Sequence, residues 1–198
     1  ETKEELRQIH QYWKGRTTSE LATSYMAPEA IRGIEHNIFT PGNYFYNGVG
    51  HVTVKYWEVL NIGFEGIMAK AKAELAQCNV GDGDYARKSR FLEAVIISCQ
   101  AAMDYAARYA ELAQQMAEKC TDPDRKQELL AIADNCSRVP AKGAETFYQA
   151  CQSFWFVQLL IQIESSGHSI SPGRFEKYRC PDYKKEVRAG KFTREARQ

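Results

Sequence analysis

Two histidines and a serine are the side chains of this sequence best placed to bind a polar small molecule. His51 follows Gly48-Val49-Gly50, and His168 follows Gly167 and precedes Ser169. Glycine permits backbone angles closed to other residues and lets a ligand approach the chain closely. An imidazole or a hydroxyl can donate or accept a hydrogen bond, so these loops are suited to contacting substrate hydroxyl groups. A histidine bonded only to a neighbouring carbonyl is the alternative at each position.

Two further features of these loops allow more than one interpretation. Ser169 could be a nucleophile next to His168, but adjacent residues seldom point at each other, and no third, orienting carboxylate is identifiable. A serine hydrolase is therefore disfavoured. Three consecutive aromatic residues, Tyr44, Phe45 and Tyr46, lie among turn residues in the first of the two loops. They could pack against the protein or form a wall of a substrate pocket.

The helix that leads to the second loop is apolar nearly all round. Thr146 and Gln149 have the spacing of a capping box, and most positions from Phe147 to Ile163 are large and apolar. A helix without a polar face is one that is covered on every side. A helical bundle of this size does not need such a helix, so we expect sequence outside this chain to cover part of it.

The rest of the chain has a predominantly helical pattern. Caps and apolar residues at helical spacing predict a series of helices, the longest from about Tyr85 to Lys119. Gly63 and Gly66 interrupt a helix predicted from about Val54 to Gln77. Since each costs about 1 kcal/mol relative to alanine, we expect both to pack closely against another backbone. Ser169-Ile170-Ser171 is the one candidate strand, so the fold is expected to be mostly α with few or no strands.

Composition and charge exclude several classes of protein. The 198 residues carry a formal net charge of +1, which provides no electrostatic basis for binding nucleic acid or an anionic membrane. No apolar run approaches the ~20 residues of a membrane-spanning helix, and no secretory leader is visible. The six cysteines form no CxxC pair and have no histidine at metal-binding spacing, so neither a metal site nor a disulfide framework is expected. Free thiols suit a cytoplasmic location.

Both ends of the chain suggest a piece of a longer protein. The sequence begins at Glu1 without a methionine, and the residues before Gln198 are similar to the first turn of an unfinished helix. We therefore expect a truncated chain.

Four motifs in this order resemble the N-terminal half of a glycyl radical enzyme. The family is the pyruvate formate-lyase superfamily, and the similarity is to its branch of dehydratases and C–N lyases. The likeness covers almost the whole chain. The motifs are Tyr12 to Thr17, Gly50-His51-Val52 with Leu60 to Ile67, Pro140 to Ala150 with Gln152 to Trp155, and Glu164 to Phe175.

The resemblance implies a ten-stranded α/β barrel wrapped in helices, of which residues 1–198 form the helical N-terminal part of a single domain. In such enzymes a radical stored on a glycine passes to a cysteine, and the thiyl abstracts hydrogen from the substrate. None of the six cysteines here lies in a matching motif. The thiyl cysteine, its glutamate and the radical glycine are thus expected elsewhere in the protein. This chain is expected to contain no catalytic residue, to bind no cofactor and to be inactive by itself.

The resemblance also implies substrate and partners. In the family's diol dehydratases, which act on glycerol or 1,2-propanediol, the matching positions bind the substrate hydroxyls, and they correspond to His51, His168 and Ser169. An activating enzyme that uses S-adenosylmethionine and an iron–sulfur cluster installs the radical without oxygen. A missing C-terminal half and a possible homodimer are the other implied partners.

Other functions stay open from the sequence. Within the superfamily they are a hydroxyproline dehydratase, a choline trimethylamine-lyase and a protein similar to formate acetyltransferase. Substrates with a charged nitrogen would call for a nearby carboxylate, whereas His168 and Ser169 are neutral. Outside the superfamily, the chain could be a non-catalytic helical scaffold whose loops are merely structural.

Overall fold

The fold is mostly helical, with two short strands among the described residues. A computed structural model describes residues 2–42, 51–165, 169–174, 177, 183–184 and 186–190. The mostly α fold expected from the sequence is confirmed. The elements in chain order are α1 (Thr2–Trp13), α2 (Thr18–Ser24), α3 (Pro28–Glu35), β1 (Val52–Thr53), α4 (Tyr56–Ala76), α5 (Tyr85–Lys119), α6 (Pro123–Arg138), α7 (Phe147–Glu164) and β2 (Ile170–Ser171).

The chain divides into two compact units. The first comprises Glu1–Val52 and Gln162–Ser169, and the second comprises Thr53–Ile161 and Ile170–Gln198. In the first unit, α1 and α2 bury none of their residues. A capping box begins α2: the Glu20 amide donates to Thr17 Oγ1 at 3.2 Å, and the Thr17 amide donates to Glu20 Oε2 at 3.2 Å. These bonds lower the pKa of Glu20, the Thr17 hydroxyl contributing most.

The second unit has a core built by four helices. Helix α5 packs against both α4 and α6. One buried cluster joins α4 to α7 and consists of Tyr56, Val59, Leu60, Ala150 and Val157. A smaller cluster joins α5, α6 and α7 through Ala106, Cys136 and Phe156.

A sharp kink at Gly63 divides α4. Gly63 has φ 66° and ψ 178°, a conformation that only glycine adopts readily. The segment that follows α6 fills the kink: the Phe64 amide donates to the Pro140 carbonyl and the Glu65 amide to the Ala141 carbonyl, both at 2.9 Å. A Cβ added at Gly63 would lie 2.1 Å from the Ala141 carbonyl oxygen. The predicted close approach of another backbone is therefore confirmed at Gly63.

The same expectation is wrong at Gly66. A Cβ there would meet the side chain of Ile62, at 2.7 Å from its Cβ, rather than another backbone. The second close backbone approach is instead at Gly143, where an added Cβ would lie 2.2 Å from the Asn61 carbonyl oxygen. The next amide, that of Ala144, donates to the Leu60 carbonyl at 2.8 Å. Glycine is thus needed on both sides of this contact.

Burial separates the described cysteines into two groups. Cys99 and Cys136 are buried, and burial raises the pKa of Cys99 and raises that of Cys136 to about 11. Cys78 and Cys120 are half-buried. None of these four cysteines forms a disulfide.

We expect a thiol reagent to modify these cysteines in a fixed order. At pH 8 a thiol with a pKa of about 11 is roughly 0.1% thiolate, and the thiolate is the reactive form. Maleimide labelling read by peptide mass spectrometry should therefore reach Cys78 and Cys120 at least tenfold faster than Cys136. Denatured protein, in which all thiols react at similar rates, is the control. Equal rates in the folded protein would contradict the described burial.

Candidate functional site

Two of the three predicted substrate ligands precede the two strands. His51 is exposed and comes directly before β1, and Ser169 is exposed and comes directly before β2. The two strands pair in one sheet, which confirms the short strand expected near Ser169. His168 lies outside the described residues, as do the three aromatic residues of the possible pocket wall, Tyr44, Phe45 and Tyr46.

A glycine after β2 allows a close contact with β1. Gly173 has φ 67°, and a Cβ at this position would lie 2.8 Å from Thr53 Cγ2. The Gly173 amide donates to the Ser171 hydroxyl at 3.3 Å. Glycine therefore lets the chain turn immediately after β2 while staying against Thr53.

Helices α4 and α7 hold β2 through side chains. The Tyr56 hydroxyl donates to Gln158 Oε1, and Gln158 Nε2 donates to the carbonyl oxygen of Ile170 at 3.2 Å. Tyr56 is only 1% exposed and its ring contacts that of Phe154, with the centroids 4.6 Å apart. The sequence did not predict these two hydrogen bonds, because the three residues that form them are more than ten positions apart from one another.

The start of α4, just after β1, carries a charged cluster. Glu58 lies 2.7 Å from the ammonium groups of both Lys55 and Lys70. The hydrogen bond from Lys55, followed by that from Lys70, lowers the pKa of Glu58 to about 2. Glu58 is therefore ionised at neutral pH.

The N-terminus of α7 is capped partly as the sequence predicts. The Gln149 amide donates to Thr146 Oγ1 at 3.1 Å, which is one half of the predicted capping box. The Gln149 side chain instead accepts from the Glu145 amide at 2.9 Å. The Phe147 amide donates to the buried carboxylate of Glu186 at 3.0 Å. A carboxylate is favourable there because the helix dipole is positive at this end.

Helix α7 is covered on one face only. Ala150, Ser153, Phe156 and Val157 are buried, whereas Tyr148, Trp155 and Ile163 are 48%, 57% and 61% exposed. Burial on every side is therefore not achieved within the described chain. Large apolar side chains thus occupy both the buried and the exposed face of α7.

The described residues show neither a metal cluster nor a membrane-spanning segment. No group of three or more His, Cys, Asp and Glu side chains is arranged to hold a metal ion in the described part of the chain. No described helix combines the length and the apolarity needed to cross a bilayer.

The sequence matches a family model over its full length. Residues 1–198 match the family described as pyruvate formate lyase-like. The chain belongs to this family. The resemblance to glycyl radical enzymes, inferred from four sequence motifs in the same order, is thereby confirmed.

Two solved structures and a curated relative are similar to this chain. One is a solved structure that concerns 1,2-propanediol dehydration in Roseburia inulinivorans. It is 59% identical in sequence, the match covers 98% of this chain and 23% of the other, and the TM-score is 0.86. A glycerol-bound B12-independent glycerol dehydratase from Clostridium butyricum is 51% identical, covers 92% and 23%, and has a TM-score of 0.80. A (2S)-3-sulfopropanediol dehydratase from Klebsiella oxytoca is 38% identical over 98% of this chain and 24% of its own length.

This chain is much shorter than the proteins it matches. This chain spans about a quarter of the length of the relatives and solved structures it matches.

Proposed function

We propose that the full-length protein containing this chain is a glycyl radical dehydratase that eliminates water from glycerol or 1,2-propanediol. The observation that carries this proposal is the ranking of the similar proteins by their sequence identity to this chain. Identity is 59% and 51% to the proteins whose structures concern propanediol dehydration and glycerol binding, but 38% to the sulfopropanediol dehydratase. Substrate class is expected to follow the more similar proteins.

The proposed roles of this chain's residues are in binding. His51, His168 and Ser169 would hydrogen-bond the two hydroxyl groups of the diol. A neutral imidazole can accept a proton from one hydroxyl and, as the imidazolium, deliver it to the other, so that the departing group leaves as water. Tyr44, Phe45 and Tyr46 would line the pocket. The radical that starts the reaction would be supplied by the parent's glycine and cysteine, after installation by an activating enzyme that uses S-adenosylmethionine and an iron–sulfur cluster.

The exposed apolar face of α7 supports a place for this chain within a larger domain. Trp155, 57% exposed, would be covered by the rest of the parent protein. Burial of an aromatic side chain of this kind contributes roughly 2–3 kcal/mol. The isolated chain would therefore expose surface that the parent protects, and it would have no activity of its own.

Charged substrates are a second candidate class, and the similarity to a sulfopropanediol dehydratase favours them. A sulfonate would need a cationic partner, and the ammonium of trans-4-hydroxyproline or choline would need an anionic one. His51 and Ser169, the described candidate ligands, are an imidazole and a hydroxyl. They suit the uncharged diols better.

Turnover by the full-length protein tests the proposal. The protein would be activated without oxygen by its partner enzyme and supplied separately with glycerol, 1,2-propanediol, 3-sulfopropanediol and trans-4-hydroxyproline. We expect aldehyde formation from the two simple diols, with kcat/KM at least 100-fold higher than for the charged substrates. Preference for a charged substrate would contradict the diol assignment. Loss of turnover with every substrate, despite a glycyl radical signal, would favour a function outside this set.

A further inference from the structure

The Gln158 side chain joins a buried tyrosine to the strand that follows Ser169. Its oxygen accepts from the Tyr56 hydroxyl, and its nitrogen donates to the Ile170 carbonyl at 3.2 Å. Tyr56 is 1% exposed and Ile170 is 6% exposed. The three residues belong to the same compact unit. The strand backbone is therefore tied to α7, and through α7 to α4, by one amide side chain.

The polarity of this arrangement is fixed by the amide. A primary amide has an acceptor at one end and a donor at the other, so it can satisfy a hydroxyl donor and a carbonyl acceptor in one orientation only. Rotation by 180° would place the NH2 group against a hydroxyl and the oxygen against a carbonyl. The Ile170 carbonyl, which can only accept, thus determines which end of Gln158 faces β2, and the Tyr56 hydroxyl donates to the other end.

The residue next to this anchor has an unusual backbone conformation. Ser169 has φ 21°, in a region that residues other than glycine seldom occupy. Such conformations persist only where the surrounding structure holds them. Ile170, whose carbonyl Gln158 holds, is joined to Ser169 by a peptide bond.

We propose that Tyr56 and Gln158 are positioning residues that fix the backbone at Ile170 and thereby the placement of Ser169 for the substrate. The inference rests on the proposed function, in which Ser169 binds a hydroxyl of the diol. Neither Tyr56 nor Gln158 touches the substrate in this scheme. Their effect is on the geometry of a contact, and misplacing a binding group by a fraction of an ångström is enough to weaken it.

Three substitutions in the full-length protein separate the two hydrogen bonds. Gln158→Met removes both, Gln158→Glu keeps the acceptor for Tyr56 but, when ionised, cannot donate to Ile170, and Tyr56→Phe keeps the bond to Ile170. Gln127→Glu on the exposed surface of α6 and Tyr148→Phe on α7 are matched controls. KM and kcat for the diol would be measured for each variant. The kcat values would be calculated per glycyl radical, counted by electron paramagnetic resonance.

We expect KM to rise about tenfold in both Gln158 variants, less in Tyr56→Phe, and by less than twofold in the controls. The Gln158→Glu defect should shrink as the pH is lowered from about 8 to about 5.5, because a protonated carboxyl can again donate to Ile170. A purely structural role would reduce the yield of activated protein and leave KM and its pH dependence unchanged. Unchanged KM in the Gln158 variants would overturn the inference.

Hydrogen exchange in the unactivated protein provides a readout that does not depend on turnover. Amides in the peptide that spans residues 169–173 should exchange at least tenfold faster in Gln158→Met than in the wild-type protein, with the control variants unchanged. If the wild-type protein converted no diol, the proposed function would be wrong, and exchange alone would decide whether Gln158 holds this segment. Unaltered exchange in Gln158→Met would overturn the positioning role whatever the substrate.

Discussion

Replacing Gly63 by alanine should lower the free energy of unfolding by about 3–5 kcal/mol. Two effects add at this position. A residue with a Cβ strongly disfavours φ 66° with ψ 178°, and the new Cβ would lie 2.1 Å from the Ala141 carbonyl oxygen. Relief of the contact would require the backbone after α6 to move, which would lengthen the hydrogen bonds from Phe64 and Glu65. Urea unfolding followed by circular dichroism would measure the loss.

A second glycine provides the control for this prediction. Gly83 is exposed, and an added Cβ would meet no atom within 4 Å. Gly83→Ala should change the free energy of unfolding by less than about 1 kcal/mol. If Gly63→Ala were as mild as Gly83→Ala, the kink in α4 and its contact with Ala141 would not exist as described.

Replacing His51 by alanine in the full-length protein should reduce kcat/KM for the diol by about 100-fold. Of the two histidines of the proposed substrate site, His51 is the one that the structure describes. It is exposed and lies immediately before β1. Its loss would remove both a hydrogen bond to the substrate and a group able to move a proton to or from a hydroxyl. The stability of the protein should change by less than about 1 kcal/mol, since the side chain is exposed.

His36→Ala is the matched control for the histidine prediction. His36 is also exposed and lies at the C-terminal end of α3, outside the proposed site. Its substitution should leave kcat/KM within about twofold of the wild-type value. If His51→Ala had a normal kcat/KM, His51 would not be part of the substrate site. The comparison is valid when His36→Ala has a normal kcat/KM.

Local sequence signals predicted the positions of the helices well. The long helix is predicted from about Tyr85 to Lys119, and α5 has these bounds. Asp122 caps α6, with its carboxylate accepting from the Asp124 and Arg125 amides. Such elements can be predicted because caps and apolar spacing act over three or four residues, within the helix itself.

Contacts between distant segments were predicted less well. The close packing expected at both glycines of α4 is present at Gly63 but not at Gly66, since sequence cannot indicate which glycine faces another backbone. Glu186 at the start of α7 and the Tyr56–Gln158 pair were not foreseen. Glu186 accepts from the Phe147 amide, 39 residues away in the chain, and Tyr56 and Gln158 are 102 residues apart. No local pattern carries that information.

The sequence by itself determined the family, the mostly helical composition and the glycine-associated histidine and serine that are candidate ligands. These depend on residue types and short spacings, which physical chemistry relates directly to helix formation and hydrogen-bonding capacity. Only the tertiary structure decided that one apolar face of α7 is covered and the other exposed, and that Gln158 holds the strand after Ser169. Burial and side-chain pairing are decided by which segments pack together, and in this chain those segments are far apart in sequence.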